Sequence, residues 1–151
     1  MEKQFVTYEQ ALYLNTLGFN ESCFGYYVEG ELRGINLGIE ELGGIEPYYK
    51  RFGFHSIKNS DIINTDKFVT TAPLRQQAFD WFRKEYRLSH MIYDLLDDYE
   101  AIVIEWTLGE DKIVHEIPQL EDIEYPNNRF DSWTEAENAS INKLIEITKN
   151  R

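Results

Sequence analysis

The chain has few of the residues that small proteins use for covalent or metal-based stability. Its 151 residues include four prolines and one cysteine, Cys23. A single cysteine cannot close an internal disulfide, which fits a reducing compartment. Residues 1–5 do not begin the apolar stretch of a secretory signal, and no apolar run reaches the roughly 18 residues of a membrane span. We therefore expect a soluble, cytoplasmic protein that does not enter membranes.

Basic residues are scarce in one part of the chain. Between Asp94 and Glu124 eleven acids face one base, Lys112. The whole chain has 27 acids, 15 bases and a net charge of −12, so the other 120 residues, with 16 acids and 14 bases, are close to neutral. Such a field repels nucleic acid and attracts basic partners. We predict a basic protein partner, no direct nucleic-acid binding, and a partner-binding acidic face formed by Asp94, Asp97, Asp98, Glu100, Glu110, Asp111, Glu121, Asp122 and Glu124.

Signatures of catalysis and of cofactor binding are also missing. Cys23 could pair with one of the histidines, but no local motif places a base beside the thiol. The glycine-rich stretch 34–44 matches neither the dinucleotide fingerprint nor the P-loop. The acidic run 97–100 lacks the alternating acids and the central glycine of a calcium loop. We predict no catalytic residue, no metal site and no cofactor, and we interpret Cys23, His90 and His115 as structural residues.

Local signals mark three helices. Thr7 and Gln10 form a capping box before a helix predicted from about Tyr8 to Leu17, and Gly18 suits the left-handed position that closes it. Thr71 is predicted to cap a second helix, and Ser132, with a glutamate three residues later, a third. Their apolar residues recur at helical spacing, which is typical of helices that pack on a sheet.

Strand patterns occupy most of the remaining chain, and short turns between them indicate antiparallel pairing. In the longest strand, Ile102, Ile104 and Trp106 alternate with Ala101 and Val103, and we predict that the isoleucine side is the buried one. Residues 34–70 hold no clear period and are predicted as an irregular connection. The predicted strands are 24–28, 32–37, 66–70, 91–95, 99–108 and 112–117.

The predicted fold class is α+β. An antiparallel sheet of three to five strands is packed by three helices, and the C-terminal half has the order α-β-β-β-α. At 151 residues the chain is the size of one ordinary domain, and we predict a single domain over residues 1–151.

Three blocks of sequence support a resemblance. Residues 7–12 read TYEQAL and lead to LGFNESCFGYY at 17–27; residues 72–83 read APLRQQAFDWFR; residues 135–137 read EAE and 143–146 read KLIE. In these blocks the chain resembles a family of short uncharacterised proteins of Bacteroidetes and their phages. The resemblance implies a mobile genetic element or its host as the setting, and it implies no biochemical activity.

A second resemblance is one of topology. From Thr71 to Lys149 the predicted order of elements resembles that of double-stranded-RNA-binding domains, which use basic residues at the start of their final helix. Here the corresponding residues, 131–135, read DSWTE. The electrostatics therefore oppose RNA binding, although the fold analogy stays open.

From these patterns we predict a non-enzymatic binding protein that acts through its acidic surface. The sharpest form of this hypothesis is a modulator carried by a phage or mobile element that mimics the charge of nucleic acid or counters a host defence. The alternative is a small enzyme or ligand-binding domain. Its site would lie between the central loop and the sheet and would use His55, Tyr48 and Tyr49.

Overall fold

A computed structural model describes residues 4–34, 56–62, 69–96, 98–107, 112–117 and 129–151 of the chain. The chain divides into two compact units, residues 1–74 and 75–151. The described residues form three α-helices and two antiparallel sheets, one of three strands and one of four, so the predicted α+β class is confirmed. The extent of the domain, predicted as 1–151, stays a prediction.

The first unit contains helix α1 (Tyr8–Thr16) and a three-stranded sheet. The predicted capping box is confirmed: the Thr7 hydroxyl accepts from the Gln10 N–H at 3.3 Å, and the Gln10 amide oxygen accepts from the Thr7 N–H at 2.9 Å. At the other end, Gly18 has a φ of +94°, and the N–H of Phe19 donates to the Leu14 carbonyl at 2.9 Å. Local sequence alone therefore fixes both ends of α1.

The sheet of this unit has the order β2-β1-β3, with strands β1 (Gly25–Val28), β2 (Glu31–Gly34) and β3 (Val69–Ala72). Glu29 and Gly30 join β1 to β2 and have φ of +51° and +89°, as a two-residue hairpin turn requires. A 3-10 turn (Asn59–Asp61) precedes β3, and α1 packs against β3. The buried residues of the unit include Val6, Ala11, Leu14, Phe19, Cys23, Tyr26, Ile57 and Ala72.

One helix-start prediction is wrong. Thr71 lies in β3, opposite Tyr26 of β1, and the second helix begins four residues later, at Arg75. Thr71 has a hydroxyl suited to capping, but its backbone is held in the sheet by pairing with β1, and its N–H donates to the side-chain oxygen of Asn59 at 3.0 Å. The apolar helical period of the following residues was correctly assigned.

The second unit contains helices α2 (Arg75–Tyr86) and α3 (Trp133–Lys149) and a four-stranded sheet. Strands β4 (Leu88–Asp94), β5 (Tyr99–Trp106) and β6 (Lys112–Glu116) pair in that order, and the short β7 (Arg129–Phe130) pairs with β5. The predicted order of helix, three strands and helix is confirmed. Ser132 caps α3, as predicted, by accepting from the Glu135 N–H at 3.3 Å.

The two faces of this sheet differ in what covers them. Helices α2 and α3 pack against β4 and β5, and the fully buried Leu88, Ala101 and Val103 lie on the side that faces them. We call the opposite side the open face, since neither helix packs on it. By register the positions of the open face are Ser89, Met91, Tyr93, Glu100, Ile102, Ile104, Trp106, Lys112, Val114, Glu116 and Arg129.

The prediction that Ile102, Ile104 and Trp106 form the buried side of β5 is therefore wrong. Alternation was correctly recognised, but the helices cover the side with Ala101 and Val103. The small Ala101 leaves room for a helix to approach the sheet closely. On the other side Ile104 is buried among its neighbours, Ile102 is half-buried and Trp106 is exposed.

Candidate functional site

Among the described acids of the segment 94–124, Asp94 and Glu105 lie by register on the side that the helices cover, whereas two others lie on the open face. Glu100 and Glu116 are on that face by register, opposite Tyr93 and Ile102 respectively. Asp94 is exposed at the end of β4, where its carboxylate accepts from the Leu96 N–H at 3.1 Å. None of these three carboxylates has an ion pair among the described residues. Asp94 and Glu100 are members of the predicted acidic face, whereas Glu116 is not.

Two other acids of the segment are paired with bases from elsewhere in the chain. Arg129 of β7 donates to the carboxylate of Asp98 at 3.2 Å. Arg151, at the C-terminus, donates to the carboxylate of Glu105 at 2.6 Å. His115 lies 3.1 Å from the second oxygen of Glu105, and this hydrogen bond, with a smaller contribution from Arg151, holds the pKa of that carboxyl below its usual range. Folding therefore reduces the local excess of negative charge that the sequence count indicated.

The other predicted members of the acidic face lie outside the described residues. They are Asp97, Glu110, Asp111, Glu121, Asp122 and Glu124. Their place on one face with Asp94 and Glu100 stays a prediction.

The open face also exposes large apolar side chains, a feature that the sequence analysis missed. Met91, Tyr93, Trp106 and Val114 are 43, 40, 46 and 45 % exposed. Leu95 and Leu96 follow in the turn after β4, and Leu96 is 98 % exposed. Of the ten exposed large hydrophobic residues in the described chain, seven lie between residues 91 and 114, and one of these seven, Ile113, is on the opposite side of the sheet. Apolar groups concentrated in this way, beside acids, are typical of protein–protein interaction surfaces.

Cys23 is a core residue of the first unit. It is fully buried, and its backbone pairs with that of Ile57 through two hydrogen bonds of 2.7 and 2.9 Å. Burial raises the pKa of the thiol to about 12. The described residues of this unit include no histidine, since His55 lies outside them. The geometry therefore supports the structural interpretation of Cys23.

The two described histidines also make structural contacts. His90 stacks on Phe79, with ring centroids 3.5 Å apart, on the side of the sheet that α2 covers. Burial lowers the pKa of His90 to about 4, and Arg83 adds to that effect. His115 contacts Glu105 on the same side. Neither histidine lies beside a nucleophilic side chain in the described residues.

A shallow groove in the first unit is the candidate small-molecule site. Its volume is about 580 Å³. Tyr8 and Tyr27 meet edge to face there, and Arg33 pairs with the neighbouring Glu31 at 2.5 Å. His55, Tyr48 and Tyr49, the residues of the predicted alternative site, lie outside the described residues, so the alternative stays a prediction. The groove is lined by Tyr8, Glu9, Tyr27, Gly30, Glu31, Leu32 and Arg33.

Two further site classes are not represented in the described part of the chain. It has no group of three or more histidine, cysteine, aspartate or glutamate side chains arranged to hold a metal ion. None of its helices has the length and apolar character that crossing a membrane requires.

The chain was compared with protein-family models, with curated proteins and with solved structures. None of the three comparisons finds a match.

Proposed function

We propose that this protein is a non-enzymatic binding protein whose acidic surface, in the second unit, takes a basic protein partner. The observation that carries the proposal is the charge of residues 94–124, eleven acids against one base. Glu100 and Glu116 support it from the structure, because both lie on the open face of the sheet. Like charges at such spacing act together on an approaching cation within a Debye length of about 8 Å.

The biological setting is part of the same proposal. The resemblance to short proteins of Bacteroidetes and their phages favours a modulator carried by a mobile element, acting in the cytoplasm. An acidic surface of this kind competes with nucleic acid for a basic host protein, because both present negative charge to the same cationic site. The partner is thus expected to be a nucleic-acid-binding protein of the host.

The experiment that tests the proposal reverses the charge of one acid on each of β4, β5 and β6 and compares this variant with one that has an equal change of charge elsewhere. Asp94→Lys, Glu100→Lys and Glu116→Lys together should abolish capture of the partner from a host lysate. Asp98 is left unchanged in this variant because it pairs with Arg129. The captured protein should also elute with salt, since surface charges act mainly on the rate of association.

The second unit supplies a matched control. Asp80→Lys, Glu85→Lys and Glu146→Lys change the net charge by the same amount, on exposed positions of α2 and α3. This control variant should capture the partner as the wild type does. An equal loss of capture in the two variants would show that the acids only keep the protein soluble. Capture that survives both the first triple variant and high salt would show the same.

A further inference from the structure

We draw no further inference here: the strongest candidate, the open face of the four-stranded sheet, exposes the apolar side chains of Met91, Tyr93 and Trp106 but has by register as many basic positions as acidic ones, and nothing in the described part of the chain shows what covers it.

Discussion

His90 lies flat against Phe79, at an interplanar angle of 16°. The pKa of its imidazole therefore differs between the folded and the unfolded chain. Its pKa is lowered to about 4, first by burial and then by Arg83, while Asp80 acts in the opposite direction. The unfolded chain titrates near 6.5 and binds more protons than the folded chain between these two values. Stability therefore decreases as the pH falls through this window.

The first prediction is a loss of up to about 3 kcal/mol in the free energy of unfolding between about pH 6.5 and pH 4, at about 1.4 kcal/mol per pH unit. Urea denaturation at several pH values measures it. His90→Phe keeps an aromatic ring against Phe79 but cannot bind a proton, so its stability should vary less with pH. Identical pH dependence in wild type and variant would contradict this account.

A second residue-scale prediction concerns Cys23. Because its thiol is fully buried and its pKa is raised to about 12, almost none is ionised at neutral pH. Iodoacetamide should leave the folded protein unmodified and should label it after unfolding in urea, as mass spectrometry can show. Cys23→Ala should leave partner capture intact and lower stability by about 1 to 2 kcal/mol through the cavity it creates. Rapid alkylation of the folded protein would mean that the thiol is reactive.

At the scale of elements, one buried ion pair ties the start of α2 to α3. Arg75 is 6 % exposed. Its guanidinium donates to Asn138 at 3.2 Å and lies 3.5 Å from the Glu137 carboxylate. Arg83, on the same helix, pairs with Asp80 in an exposed position. Two arginines of one helix therefore differ chiefly in burial.

The third prediction uses that difference. Arg75→Ala should lower the free energy of unfolding by about 3 kcal/mol, because Glu137 loses its partner in a half-buried site. Arg83→Ala should lower it by less than about 1 kcal/mol, because water solvates the exposed Asp80. Urea denaturation of both variants checks the ratio. Equal losses would show that the inter-helix pair contributes little.

At the scale of the whole molecule, the net charge of −12 excludes the usual basis of nucleic-acid affinity. Non-specific binding draws on clustered lysine and arginine that release counterions from the phosphates. In the described residues, α3 begins with the acids Asp131 and Glu135 beside its cap. The fourth prediction is that duplex RNA and DNA show no shift on a gel at low salt. Micromolar binding there would contradict the charge argument.

Short-range features of this protein were predictable from the sequence. The capping box of Thr7, the turn at Glu29 and Gly30, and the cap at Ser132 all depend on residues within about four positions of each other, so their geometry needs no knowledge of the fold. The same is true of the strand alternation in β5. The side chain of Thr71 suits a helix cap, but pairing with the distant strand β1 places this residue in a sheet.

Two features were decided only by the tertiary structure. The sequence shows that β5 has two apolar sides, but which side is covered depends on where α2 and α3 pack. The sequence also counts charge by position along the chain, whereas Asp98 meets Arg129 and Glu105 meets Arg151 across separations of 31 and 46 residues. Coulomb interactions depend on distance in space. The acidic composition is therefore a property of the sequence, while the open face and the ion pairs of Asp98 and Glu105 exist only in the folded chain.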